Sequence, residues 1–231
     1  KFQEASDSII LLQLAKRKSI GLTSKGESTF VDKKQDDYPW AIVIFDYKNQ
    51  TLYVERAYKV YALPNEMIRI MENLFAYVNL QIVENTSSKF FVNIITSQDE
   101  FEACFKSFDL VSKVSIKLDS PNSFLGNREA DELLSELRDE TMAKQTVIEV
   151  SNDEGLYGEG IFKQFKAFIE YAVRGGGKWS IRGKCGNNKQ ITKSSQTKIK
   201  TLNLNITINN NSVENISEIA DIVSKTNNYE E

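Results

Sequence analysis

Two hydrophobic periods interleave along this chain, and that interleaving limits what it can fold into. Met67, Ile70, Met71, Leu74, Phe75 and Val78 recur at helical steps, and Pro64 stands where a first helical turn tolerates proline. Val114, Ile116 and Leu118 then alternate with Ser115, Lys117 and Asp119, the period of a half-buried strand. Ile161, Phe162, Phe165, Phe168, Ile169 and Ala172 return to the helical period within a helix expected over Leu156–Val173.

The stretches between complete the expectation. Ala5–Lys18 reads as a short helix on the steps Ile9, Leu12 and Lys16, and polar Gly21–Asp37 as a loop. Trp40–Asp46 and Thr51–Tyr58 read as a hairpin across Lys48-Asn49-Gln50. A strand is expected over Lys89–Thr96. Ser97 with Glu100 has the spacing of a capping box, which opens a helix running to Phe108. A charged helix over Arg128–Lys144 precedes a strand over Gln145–Val150 and a turn over Ser151–Gly155. Gly175–Gly177 stop the second long helix. Strands over Lys178–Arg182, Gln190–Ile199 and Thr201–Ile208 follow, then a turn at Asn209–Asn211 and a last helix capped by Ser212 and reaching Lys225.

This order predicts an α+β fold: a mixed β-sheet with hairpins at both ends and helices packed against it. Pro121–Gly126 marks a boundary between an N-terminal α+β half, 1–120, and a C-terminal α+β half with basic strands, 121–231, unless the two form one continuous domain.

Composition removes whole classes of chemistry. The chain has 231 residues, a net charge of −3 and no histidine. Ser-His-Asp and Cys-His triads, His-ligated zinc and histidine general bases are therefore excluded. Cys104 and Cys185 stand far apart in sequence and form no CxxC pair, so they read as reduced thiols of a cytoplasmic protein. No apolar run approaches the ~18 residues of a membrane span, so no membrane insertion is expected.

The strongest functional signal is charge segregation. No acidic residue lies between Tyr171 and Val213, and that window carries eight cations: Arg174, Lys178, Arg182, Lys184, Lys189, Lys193, Lys198 and Lys200. The rest of a −3 chain then carries −11. Cations crowded on paired strands repel one another unless an anion lies nearby. Phosphates supply that anion, and Trp179 among the cations is placed to stack on a base. These nine residues are the candidate nucleic-acid site, for DNA or RNA. Neutralising Lys189, Lys193 and Lys198 together is expected to weaken binding. The alternatives are a solvated β face that pairs with the acidic helix Glu129–Glu140, with a partner protein, or with another protomer of a homo-oligomer, and a disordered basic loop.

Other constellations fall short of a site. Gly175-Gly176-Gly177-Lys178 lacks the first glycine and the Ser/Thr of a phosphate loop, and it follows a helix where it needs to precede one. Asp46-Tyr47-Lys48, with Asp36, Asp37 and Glu55 nearby, has the residue types of a divalent-metal nuclease, a third reading, yet it falls at a hairpin tip. Asp153, Glu154 and Glu159 suit a helix start by charge alone. Tyr47, Tyr53, Tyr58 and Tyr61 suggest an aromatic stripe on the outer hairpin face. No catalytic residue, metal ligand or cofactor is assigned.

Residues 40–175 carry a recurring layout. A Trp-Ala-Ile-Val-Ile-Phe-Asp strand, a polar turn and a second strand occupy Trp40–Glu55. A strand ending in Pro-Asn occupies Val114–Asn122, and an acidic helix leads to the Asn-Asp-x-Gly-Leu turn of Asn152–Leu156. This layout resembles uncharacterised bacterial proteins from phage-defence loci. Its motifs are structural, so the resemblance carries over no active-site residue. It implies a bacterial cytosolic protein acting in anti-phage immunity, beside a partner subunit. The reading is therefore a non-enzymatic nucleic-acid-binding or sensing component of a defence system.

Overall fold

A computed structural model describes residues 2–6, 8–25, 29–82, 92–119, 128–187, 189–197, 200–204, 208–209, 212–213 and 216–228. Six strands come first: β1 (Phe2–Ser6), β2 (Ile9–Ala15), β3 (Lys18–Lys25), β4 (Phe30–Asp37), β5 (Trp40–Asp46) and β6 (Thr51–Val54). Then come α1 (Pro64–Ile82), α2 (Gln98–Lys106), β7 (Leu110–Asp119), α3 (Arg128–Thr141), β8 (Gln145–Ser151), α4 (Gly158–Gln164) and α5 (Lys166–Tyr171). A π turn over Ala172–Gly176 leads to β9 (Gly177–Cys185) and β10 (Lys189–Ser194). Short strands β11 (Ile208–Asn209) and β12 (Ser212–Val213) and helix α6 (Ile216–Asn228) end the described chain. The class is α+β. Every described ladder is antiparallel, in two four-stranded sheets, β1-β2-β5-β6 and β10-β9-β7-β8, and two hairpins, β3-β4 and β11-β12.

The chain divides into two compact units, Lys1–Leu63 with Asn203–Glu231, and Pro64–Leu202. A cut at 120, as the sequence suggested, would separate β7 from its partners β8 and β9. Pro121–Gly126 itself lies outside the described residues.

In the first unit the expected N-terminal helix is instead a strand pair. β2 runs along β5 from Ile9↔Asp46 to Ala15↔Trp40, so an apolar run pairs with the β-branched Ile42–Ile44 run and overrides a helical period resting on three residues. Ile9, Leu11, Ile42 and Ile44 bury against Ile219, Ala220 and Val223 of α6, with Tyr53 packed beside them. Within the expected loop 21–37, residues 21–25 and 30–37 belong to the β3-β4 ribbon, held in part by Thr23 Oγ1 donating to Asp32 Oδ1 at 2.7 Å and by an Arg17–Asp36 ion pair at 2.9 Å, and 26–28 lie outside the described residues. Ile20 and Leu22 alternate there, but both are exposed and the polar residues around them do not extend the pattern to the length that marks a half-buried strand.

In the second unit the local signals hold closely. The Glu100 N–H donates to Ser97 Oγ at 3.1 Å, and the Ser97 N–H donates to Glu100 Oε2 at 3.2 Å, closing the capping box of α2. Replacing Ser97 by alanine is expected to lower stability by about 1 kcal/mol, read as an earlier urea midpoint. Val92–Thr96 is irregular where a strand was expected, and 89–91 lie outside the described residues. The second long helix bends at Phe165, where φ is −112° and ψ 16°. Its ladder continues across the bend, through Phe165 N to Ile161 O (3.0 Å) and Ile169 N to Phe165 O (2.8 Å). Gly175, at φ 101°, takes the left-handed conformation that ends the helical run. Of the expected strand over Thr201–Ile208, 201–204 are irregular and 205–207 lie outside the described residues. Ser212 sits in β12, and α6 starts at Ile216.

Helices α2 to α5 share one core with the inner face of the sheet. Phe101, Phe105, Leu134, Ile161, Ile169 and Tyr171 meet Val114, Ile116, Leu118, Trp179 and Ile181 there. Cys104 is buried, Cys185 half-buried, and both are free thiols.

Candidate functional site

The outer face of the β10-β9-β7-β8 sheet gathers cations from two strands. Along β9 the burial alternates, so Gly177, Trp179, Ile181 and Gly183 face the core while Lys178, Ser180, Arg182 and Lys184 face outward. On β7, Val114, Ile116 and Leu118 face the core, which leaves Ser115 and Lys117 on the outer face. Lys113 shares the sequence parity of buried Val111, so strict alternation would turn it inward. The register slips between Val111↔Gly183 and Lys113↔Arg182, making Ser112 an extra residue, and this bulge carries Lys113 to the outer face. Ser112 Oγ holds the bulge by donating to Arg182 O at 3.3 Å.

The register then sets like charges directly opposite one another: Lys113 against Arg182, and Lys117 against Lys178. Such pairs are destabilising in the free protein. An acid of the neighbouring strand offsets the first pair in part, and the Lys117–Lys178 pair has no acid opposite it in the register. Glu149 pairs with Lys113 at 2.7 Å. Asp119, at the end of the β7 row, is buried and accepts from Asn93 Nδ2 and Gln145 Nε2, each at 2.7 Å. The acidic helix α3 does not lie over the cations, because it buries Ala130 and Leu134 in the core on the sheet's inner side. Asp131, next to Ala130, has its carboxyl pushed above the usual carboxylate range by burial.

The nine sequence candidates separate in space. Lys178, Arg182 and Lys184 share the outer face. Lys189 and Lys193 pair with Cys185 and Ile181, which places them on the inner side of the same sheet. Lys193 lies over the Phe108 ring, 4.8 Å from its centroid, and donates to Ser107 Oγ at 2.6 Å, beside the C-terminus of α2. Arg174 sits in the π turn, Lys200 is exposed beyond β10, and Lys198 lies outside the described residues.

Trp179 is not a base-stacking residue in this fold. Its indole is 1% exposed, meets Phe101 edge-on at 5.2 Å, and donates from Nε1 to Thr96 Oγ1 at 3.2 Å. Sequence reasoning also missed Lys113 and Lys117, because both lie some sixty residues before the acid-free window. The alternation at 114–118 foretold Lys117's outward face, yet only the register set it beside Lys178.

The other constellations resolve into structure. Asp46 is buried and accepts from the Asn49 backbone N–H (3.1 Å) and from Asn49 Nδ2 (2.8 Å), which ties the hairpin turn. Among the described residues no group of three or more Asp, Glu or Cys is placed to hold a metal ion. Tyr53 packs toward the core while Tyr58 is exposed under Arg56, so the four tyrosines do not make one stripe. No helix among the described residues is long and apolar enough to cross a membrane.

No curated protein and no solved structure matches this chain. One family model does, over residues 23–223, which takes in the whole of β7 to β10 and so the entire cationic face. The chain belongs to the family described as a domain of unknown function, DUF4747.

Proposed function

We propose that this protein is a non-enzymatic nucleic-acid-binding component that holds phosphate backbones on the outer face of its second sheet. The observation that carries the reading is the register that sets cations opposite one another, Lys117 against Lys178 and Lys113, itself paired with Glu149, against Arg182. A sheet that sets cations opposite one another loses stability in isolation and recovers it when an anion sits over them. Lys184 extends the row, and Ser115, Ser180 and Thr192 lie between or beside the cations as neutral donors to phosphate oxygens. Lys113, Lys117, Lys178, Arg182 and Lys184 replace the sequence set as the residues that carry binding. The resemblance to proteins of phage-defence loci adds an anti-phage, cytoplasmic setting to this reading.

A salt series tests it. With four to five phosphate contacts, affinity for labelled nucleic acid is expected to fall on the order of 10²-fold between 50 and 200 mM salt. Salt-independent binding, or none, would defeat the reading.

A second reading, an interaction subunit, has one observation of its own. A cleft of about 690 Å³ between α2 and the 154–159 segment is lined by Phe105, Leu156 and Phe162 and by Glu102, Asp109, Glu154 and Glu159, with Lys106 paired to Glu102 at 3.1 Å. A basic face and an acidic cleft on one unit are complementary between copies. In that case the chain alone would self-associate at low salt and dissociate at high salt, with no affinity for nucleic acid.

A further inference from the structure

We propose that the ligand of the outer face is a nucleic-acid duplex, held by its two phosphate rows and not by its bases. The inference rests on the nucleic-acid reading above and narrows it.

Proteins that favour single strands use aromatic platforms on which unpaired bases stack. This face has none among the described residues. β7 presents Lys113, Ser115 and Lys117, and β9 presents Lys178, Ser180, Arg182 and Lys184. β10 presents Gln190, Thr192 and Ser194, and β8 presents Gln145, Val147, Glu149 and Ser151. The aromatic residue of β9, Trp179, is buried on the opposite side. A flexible single strand would have to be ordered on these cations with no stacking to offset the loss of freedom. A duplex arrives with its phosphates already in rows.

The spacing suits such a ligand. Lys113–Arg182 and Lys117–Lys178 lie four residues apart along β7, about 13 Å at ~3.3 Å per residue. That is on the scale of the ~12 Å width of the major groove of B-form DNA, so one cation pair can meet the phosphates on each side of it. With no base edge contacted, the sequence of the duplex is not read.

The test uses the full chain with a labelled duplex of about 20 base pairs, as DNA and as RNA, and with each strand alone, at about 0.1 M salt. Duplex is expected to bind at least tenfold tighter than either of its strands, and a duplex of shuffled sequence equally well. Lys117→Gln/Lys178→Gln/Arg182→Gln is run alongside. If single strands bind as tightly as duplex and the triple variant loses both, the duplex inference fails while the nucleic-acid reading stands. If neither form binds, the nucleic-acid reading itself fails. Preferential binding to vesicles containing phosphatidylserine would overturn the duplex inference in favour of a lipid surface.

Discussion

Replacing Trp179 by alanine is expected to lower the unfolding free energy by about 3–5 kcal/mol, seen as a fall in the urea midpoint at unchanged m. The indole is among the largest fully buried side chains, and three kinds of contact converge on it. Phe101 meets it edge-on at 5.2 Å and meets Phe162 at 6.0 Å in turn, so the ring links the sheet to two helical segments. Its Nε1–H donates to Thr96 Oγ1, and Thr96 N donates to Val173 O at 2.8 Å, which docks the irregular 92–97 segment. Alanine removes the ring, the aromatic contact and the hydrogen bond together. Trp179→Phe keeps much of the packing and leaves Thr96 Oγ1, in a residue 3% exposed, without its indole donor, a loss of about 1–3 kcal/mol. A base-stacking Trp179 would behave in the opposite way: affinity would fall and stability would barely move. A small stability change on Trp179→Ala would therefore overturn the burial assigned to it.

The second large effect belongs to the outer face. Lys117→Gln/Lys178→Gln/Arg182→Gln removes three phosphate contacts. At 0.1 M salt, affinity is expected to fall on the order of 10²–10³-fold, and the salt slope to flatten by about 2.7. The folded state should not suffer. Two like-charge pairs vanish, so stability is expected to hold or to rise by about 0.2–1 kcal/mol per pair. Lys113 is left in place because its ion pair with Glu149 gives it a structural partner. Lys189→Gln is the matched control. It belongs to the same basic stretch of sequence but lies on the other side of the sheet, so its expected cost is under about threefold. Equal losses for the control and for each single change on the face would mean that total charge, and not the face, governs binding. Unchanged affinity in the triple variant would remove the face as a site.

What the sequence determined by itself is local. The capping box at Ser97 and Glu100, the helical period from Met67 to Val78 and the alternation at 114–118 depend on residues a few positions apart. The physics that makes each signal acts over the same short range. The acid-free window also announced that something near β9 and β10 would be strongly cationic.

What only the tertiary structure decided depends on pairing across long separations. A strand's side chains alternate with period two, so a shift of one residue sends a cation from one face to the other. The bulge at Ser112 makes that shift and brings Lys113 and Lys117 beside Arg182 and Lys178, some sixty residues away in sequence. The β9-β10 register turns Lys189 and Lys193 to the inner side, and the packing of α2 buries the tryptophan that stood among the cations in sequence. The same physics converts Ile9–Ala15 from an expected helix into a strand, because β5 offers it a complementary run and α6 covers the apolar face that results. A window of sequence carries the preference of a segment, but the register, and with it the face each charge occupies, is set by the partner strand.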